Sequence, residues 1–306
     1  MPEHRRIERD PSAQMQRITM DDATREILSE VELPDLETLG VPSEQELWLG
    51  RLLEGTAGLA ELLDHAGRTT ARIGGVIVDN CPVERDAVVA LLSAFFGRVD
   101  AHGNGAPSRL VFDVTPRRDA EGRVSLAGTS LGAGEFPLHN DSANFETPHS
   151  HVLLAAVTSE PGRGGESVLV RADTIAEELL RRGQGRSLEL LADAVFPFLV
   201  GYAAEDELLH GPLLYREGGH WQVRYSQQFV EGGLKYAPLD DDHARAYSDF
   251  MELLAEPGLT DEFTLRPGDL WILENRRWLH GRRAIDTEAD RLLKRCKVYG
   301  PGHAQP

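Results

Sequence analysis

Pro267-Gly268-Asp269-Leu270-Trp271-Ile272-Leu273-Glu274-Asn275-Arg276-Arg277-Trp278-Leu279-His280-Gly281-Arg282 is the stretch on which the fold turns. Leu270–Leu273 is a short apolar run between a Pro-Gly turn and a polar cluster, the pattern of a buried strand. Upstream, Phe263–Leu265 and the turn Arg266-Pro267-Gly268-Asp269 predict a hairpin with that strand. Downstream, His280 falls just past the strand, the chain bends at Gly281, and Arg291–Tyr299 reads as a final strand. A strand returning from that bend can carry Arg291 back beside His280.

Further out, the last third alternates strands and turns. Leu213–Tyr215 and Trp221–Tyr225 form a hairpin around Glu217-Gly218-Gly219, and Asp241–Ala255 is a helix. In the middle, His151–Val157 and Ser167–Val170 read as strands joined through the turn Pro161–Gly165. Asp173 caps a helix running to Arg182, and a second helix covers Ser187 to about Ala194. Gly103–Gly134 is rich in Gly, Pro, Ser and Asp, holds one short strand at Leu110–Val114, and is expected to form a lid. Toward the N-terminus, Ser43-Glu44-Gln45-Glu46 has a capping-box pattern and leads into a leucine-rich helix to about His65, with Gly67 beyond it. Thr70–Val78 is rich in β-branched residues and predicts a strand, and Pro82 opens a helix over Val83–Val99. Residues 1–18 are polar without periodicity and are expected to be a flexible tail; residues 19–306 then form a single domain. Helices early and strands late predict an α+β fold around one sheet-rich core. No glycine-rich phosphate or dinucleotide fingerprint follows a strand.

The 306 residues carry 50 Asp and Glu against 32 Lys and Arg, a net charge of −18. Nucleic-acid binding needs a positive surface to displace counterions, so nucleic acid is excluded as a partner, and so is an anionic membrane. No apolar run is long enough for a membrane span. Met1–Arg6 lacks the apolar region of a secretory leader. A cytoplasmic protein acting on a small molecule is expected, with Cys81 and Cys296 reduced. Only Lys235, Lys294 and Lys297 are lysines and the other 29 cations are arginines, the side chain suited to bidentate carboxylate recognition.

The chemistry concentrates at His139-Asn140-Asp141. In an extended segment residues i and i+2 share a face, so an imidazole and a carboxylate project together. With a second histidine they would make the two-His, one-carboxylate triad of non-haem Fe(II) sites. His280 is the candidate for that histidine. Eleven residues later comes Arg291, able to hold a carboxylate in a bidentate clamp. His149 and His151 also stand at i and i+2, but begin an apolar strand without a carboxylate, and structural roles are expected. His210 with Arg224 fourteen residues on is a weaker rival pair. Zinc accepts the same ligands, so a hydrolase, or a non-catalytic metal-binding protein, is a competing reading; a hydrolase leaves Arg291 and Ser167 without a task.

The Gly-Asp-Leu-x-Ile-x-x-Asn-Arg-Arg-x-Leu-His-Gly-Arg string resembles the distal-histidine segment of the taurine dioxygenase/TfdA-like group of Fe(II)/2-oxoglutarate-dependent oxygenases, and more loosely the clavaminate synthase-like group. His139-x-Asp141, Gly164-Gly165-Glu166-Ser167, His280 and Arg291 follow in that family's order, over roughly residues 70–300. The resemblance implies a distorted double-stranded β-helix (jelly roll) with flanking helices. It implies that His139, Asp141 and His280 bind Fe(II), and that Arg291 and Ser167 hold the C5 carboxylate of 2-oxoglutarate. Arg295 would support the co-substrate or hold an anionic group of the prime substrate, or, like Arg282, be a structural ion pair. With O2, 2-oxoglutarate would give succinate and CO2 while an unactivated C–H bond is hydroxylated; desaturation or ring closure are variants. The carboxylate of Asp141 argues against halogenation. Asn140, Ser142, Asn144, Arg224 and Tyr225 are candidates for contacting a small polar, amino-acid-like or carboxylate-bearing substrate. Tyr225 and Gln227 stand where the clavaminate synthase-like group has an acidic residue, which argues against a basic amino acid such as free arginine.

Overall fold

The computed structural model describes residues 15–101, 109–160, 162–200 and 207–300. The first half runs β1 (Gln16–Thr19), α1 (Asp22–Glu30), α2 (Leu36–Leu39), α3 (Pro42–Gly55), α4 (Leu59–Ile73), β2 (Gly75–Asp79), α5 (Asp86–Ala94), β3 (Arg98–Asp100), β4 (Phe112–Val114) and β5 (Phe136–His139). There follow β6 (His151–Thr158), β7 (Ser167–Arg171), α6 (Ala172–Arg181), α7 (Gly185–Leu190), β8 (Phe196–Leu199), β9 (Leu208–Gly211), β10 (Leu214–Glu217) and β11 (His220–Val223). The chain closes with α8 (Gln227–Leu234), α9 (Asp241–Leu254), β12 (Asp261–Phe263), β13 (Leu270–Glu274), β14 (Trp278–Arg282) and β15 (Leu292–Tyr299).

The fold is mixed α+β with two principal sheets. The larger has the order β1-β2-β13-β6-β15-β3, with β4 also paired to β15; the smaller has the order β12-β7-β14-β5. Side-chain alternation assigns their faces. On β13, Leu270 and Ile272 pack under the N-terminal helices, while Trp271 and Leu273 point into the layer between the sheets. On β6, Leu153 and Ala155 face the helices, while Leu154 and Ala156 face inward. The smaller sheet sends Leu169 inward and presents Val170 and Leu279 to an outer cluster with α6, α7 and α9. The layers are therefore helices, large sheet, small sheet, helices. Among the described residues no helix is long and apolar enough to cross a membrane.

Several local expectations are corrected. Residues 16–18, expected in the tail, belong to β1, which pairs in parallel with β2, and Arg17 forks onto Asp269 at 2.8 and 2.9 Å. The remainder of the expected tail, except Met15, lies outside the described residues. The capping box at Ser43 does not form: the helix starts at Pro42, with Val41 as N-cap and no side-chain cap bond. Thr70–Val78 is not one strand. Helix α4 continues through it, burying Thr69, Thr70 and Ile73, and stops at Gly74, whose φ of +87° no β-branched residue would accept. Burial on an amphipathic face there outweighs β propensity. The helix expected from Val83 begins only at Asp86 and ends at Ala94; its N-cap Arg85 instead donates to Leu28 O and Val31 O at the end of α1. Phe263–Leu265 and Leu270–Leu273 are not a hairpin: β12 joins the small sheet through β7, while β13 lies between β2 and β6 in the large one. The expected strands at β6, β7, β10, β11 and β15 and helices α6 and α9 are present to within a few residues at each end. Gly103–Gly134 is described only from Arg109 onward.

Candidate metal centre and its pocket

The smaller sheet brings the first two candidate ligands together. His280 sits within β14, not after a strand as expected, and is the direct cross-strand partner of His139 on β5. Their rings lie 4.5 Å apart. Gly281 is required beside them: a Cβ there would stand 2.6 Å from Phe136 O on the adjoining strand. Asp141 follows the end of β5 and brings Oδ2 to 3.6 Å from His280 Nε2. Ligating atoms of His139, Asp141 and His280 all lie within 4.8 Å of one another, and all three residues are buried.

Each side chain is held in a presenting orientation. His139 Nδ1 donates to Pro137 O at 2.8 Å, leaving Nε2 as the acceptor. Asp141 Oδ1 accepts from Arg295 Nη1 at 3.1 Å and Lys297 Nζ at 3.0 Å. Asp141 Oδ2 is buried and has no hydrogen-bond partner among the described residues, and the same holds for His280 Nδ1. Burial by itself would raise the Asp141 pKa, but Arg295 and Lys297, with His280, hold it well below the ordinary carboxylate value. Burial and the neighbouring His280 lower His139 to about 3, so its imidazole is neutral and ready to coordinate near pH 7. Two imidazoles and an orphaned carboxylate oxygen form a donor set that fits Fe(II), with coordination positions left over.

One cavity adjoins this cluster. Its walls include Phe136, Ser167 and Arg282 from the small sheet, Leu154, Trp271, Leu293 and Arg295 from the large one, and Arg291. Its cations are Arg282 on β14, Arg295 on β15 and Arg291, the residue before β15. Arg291 is 8% exposed and makes no hydrogen bond or ion pair with a described residue. Burial, reinforced by Arg282, lowers its pKa to about 9. Space for its side chain comes from Gly165, where a Cβ would lie 3.1 Å from Arg291 Nε. Ser167 reaches the same cavity because β7 pairs with β14, placing Ser167 opposite Arg282.

The structure places other sequence candidates differently. Arg282 forms no ion pair with a described residue; its guanidinium donates to Gly132 O at 2.7 Å, Gly134 O at 2.8 Å and Thr129 O at 3.3 Å, tying that loop over the cavity. Arg295 does line the cavity, but pairs with the candidate metal carboxylate and lies over the Phe112 ring. The four expected substrate contacts are occupied elsewhere. Asn140 Nδ2 donates to Asn275 O and to Trp278 O, and its Oδ1 accepts from Tyr225 N. Asn144 Nδ2 donates to Val200 O at 2.8 Å. Arg224 donates to Ala143 O at 2.7 Å and Phe145 O at 2.6 Å, and pairs with no carboxylate among the described residues. Tyr225 is turned into the outer core, its hydroxyl at 2.9 Å from Met251 Sδ. In this structure the side chains of Asn140, Asn144 and Arg224 are engaged with backbone groups of the chain, and Tyr225 packs in the outer core. His149 is structural as expected, joined to Ser142 and Asp100 and stacked on Tyr299; His210 is exposed on β9, apart from the centre.

Sequence reasoning missed Asn275 and Lys297. Asn275 is fully buried; its Oδ1 accepts from Asp141 N and its Nδ2 donates to Asp141 O and His149 O. Lys297 continues the same-face series Arg291, Leu293, Arg295, and the period of two on β15 would have found it.

Three known proteins frame this geometry. Dioxygenase str8 of Strobilurus tenacellus is 29% identical over 283 residues, which is 85% of this chain and 61% of that one; the chain thus spans about three fifths of that relative's length. An asparagine oxygenase solved with Fe(II), 2S,3S-3-hydroxyasparagine and succinate superposes with a TM-score of 0.72 at 19% identity, covering 92% of this chain and 93% of that one. The non-haem iron oxygenase OrfP, solved with Fe and alpha-ketoglutaric acid, gives 0.69 at 18% identity and 94% coverage of both. At those identities the structures establish a shared fold. The model of the taurine catabolism dioxygenase TauD, TfdA family matches residues 54–297. Carrying that match over most of its length, the chain belongs to the TauD/TfdA dioxygenase family.

Proposed function

We propose that this protein is an Fe(II)- and 2-oxoglutarate-dependent oxygenase that hydroxylates a C–H bond of a small polar metabolite. The two facing sheets are read as a distorted jelly roll, with the centre in its mouth and the loop that Arg282 ties down as a lid. The observation that carries the function is Arg291: a buried guanidinium without a partner among the described residues, in the same cavity as the His139, Asp141, His280 cluster. Such a group calls for an anion that arrives with the reaction. A dicarboxylate that chelates the metal at one end and meets Arg291 and Ser167 at the other satisfies both features. A zinc hydrolase would leave that guanidinium unused.

His139, Asp141 and His280 would hold the iron. Bound iron with 2-oxoglutarate supplies O2 activation, giving succinate, CO2 and an oxidised C–H bond. The chain's residues orient and exclude water. Arg291 and Ser167 fix the remote carboxylate. Phe136, Leu154, Trp271 and Leu293 line the cavity with apolar surface. The substrate is read as amino-acid-like or carboxylate-bearing, in keeping with the hydroxylated asparagine bound by the structural neighbour. Asn140, Asn144, Arg224 and Tyr225, expected from the sequence to touch it, are engaged within the protein in the ligand-free chain and would have to exchange those partners to do so. Desaturation or cyclisation would use the same residues.

Anaerobic addition of Fe(II) and 2-oxoglutarate should produce a weak visible charge-transfer band, and His280→Ala should abolish it. A screen of amino acids and small carboxylates should then find compounds that stimulate succinate release. A folded, iron-loaded protein without the band would sink the oxygenase reading.

A further inference from the structure

Among the described residues, Asp141 has two cations, Arg295 and Lys297, on Oδ1 and no hydrogen-bond donor on Oδ2. Its backbone is already fixed by Asn275 from both sides, so neither cation is needed to position the main chain. The two cations also differ in situation. Arg295 lines the cavity and is within reach of an anion bound there. Lys297 does not line it. Its second partner is Ser142 Oγ at 3.3 Å, which meets His149 Nδ1 at 2.8 Å, and His149 Nε2 meets Asp100 at 3.0 Å. Lys297 is thus built into the wall behind Asp141.

A carboxylate beside a divalent cation can bind through one oxygen or through both. Binding through both would use an additional coordination position, and an oxygenase needs open positions for its co-substrates. We propose that Lys297 is a positioning residue that holds Oδ1 of Asp141 off the metal, so that the carboxylate offers Oδ2 alone and a coordination position stays open. This rests on the iron-oxygenase reading. When an anionic ligand draws Arg295 away, Lys297 remains on Oδ1.

A cation next to a divalent metal also repels it. The proposal therefore has a signature that a structural role lacks. Lys297→Met should bind the metal more tightly, because repulsion is removed, yet should bind 2-oxoglutarate more weakly, because once that anion draws Arg295 away no cation keeps Oδ1 from chelating. A merely structural lysine would lose metal affinity and thermal stability together.

The test uses the full chain as wild type, Lys297→Met and Lys297→Arg. Anaerobic Co(II) titrations give metal affinity and the visible spectrum, which weakens in intensity as the coordination number rises. Fe(II)-loaded protein titrated with 2-oxoglutarate gives the co-substrate affinity. Lys297→Met should bind Co(II) several-fold more tightly, and its 2-oxoglutarate Kd should rise about tenfold, the scale of outer-shell effects at metal sites. Lys297→Arg should keep both near wild type. Weaker or unchanged Co(II) binding in Lys297→Met overturns the proposal, and so does tighter binding with unchanged 2-oxoglutarate affinity. Should Lys297→Met fail to fold, Lys297→Gln is held to the same two criteria. A wild-type protein without the Fe(II)/2-oxoglutarate band refutes the oxygenase reading itself; a normal wild-type band with an unaltered Lys297→Met refutes only the role of Lys297.

Discussion

Replacing Arg291 with methionine should move stability and co-substrate affinity in opposite directions. In the ligand-free protein the guanidinium is 8% exposed, unpaired among the described residues, and lowered to about 9 by burial and by Arg282. Removing a buried group left without partners relieves a desolvation penalty of about 1–3 kcal/mol, so ligand-free Arg291→Met should be as stable as wild type or more stable. With 2-oxoglutarate the sign reverses. Losing one member of a buried, hydrogen-bonded charge pair costs about 2–5 kcal/mol, which weakens binding by about 30-fold to 4,000-fold. Urea unfolding of the metal-loaded, anaerobic protein with and without co-substrate reads both effects. At a concentration one hundred times the wild-type Kd, 2-oxoglutarate should stabilise wild type by about 2.7 kcal/mol. At the same concentration a 30-fold loss would leave the variant about 0.9 kcal/mol, and a larger loss almost nothing. A variant that is less stable without ligand, yet gains as much from 2-oxoglutarate as wild type does, would refute the clamp.

Two further expectations follow from the same geometry. Burial and His280 lower His139 to about 3 from an unfolded value of 6.5, so between those values the unfolded chain binds more protons than the folded one. Metal-free stability should be free of this cost above about pH 6.5 and fall as pH drops toward 3, with at most about 1.4 kcal/mol per pH unit from this one group. Asp141, held well below its ordinary value, pulls in the same direction at still lower pH. Urea unfolding at pH 7, 6 and 5 should show a shallower slope for His139→Gln; an identical slope would remove His139 as the source. Arg224→Met should leave Ala143 O and Phe145 O without their donor, at about 1–3 kcal/mol for each buried acceptor, seen as a lowered Tm. A change confined to substrate KM would return Arg224 to substrate binding.

The site was legible where residue type and local spacing carry it. His139 and Asp141 are two residues apart, His280 lies in a distinctive string, and Arg291 follows at a fixed interval. What the string did not contain is the pairing. That His280 faces His139 directly, and that Ser167 reaches the cavity opposite Arg282, are facts of register between strands far apart in sequence. The engagements of the four substrate candidates were not legible, for one shared reason. A polar side chain beside a metal ligand can serve a ligand or the loop's own carbonyls and amides, and a buried irregular loop must satisfy those first. Asn140 and Arg224 do that here. The misread elements have a similar cause: the β-branched residues at 69–73 suit a strand locally, but they lie on the buried face of a helix that only tertiary packing defines.

The net charge of −18 first read as a reason to exclude anionic partners, and the structure shows where that rule stops. It holds for partners that meet the surface, where charges act through water and are screened beyond about 8 Å at physiological ionic strength. A cavity between two sheets is a different medium. Arg282, Arg291 and Arg295 line it and Lys297 stands behind it, with Asp141 as the counter-charge held by the last two. In that lower-dielectric space each charge acts more strongly than it would at the surface. Arg282 has its donors satisfied by backbone carbonyls, which orient the guanidinium without cancelling its charge. The acidic total and the cationic pocket are therefore compatible: the first governs what the protein meets, the second what enters it. The lysine count carries the same lesson. Of three lysines in the chain, Lys297 lies 3.0 Å from the candidate metal carboxylate, a position that composition could not rank and that alternation along β15 could.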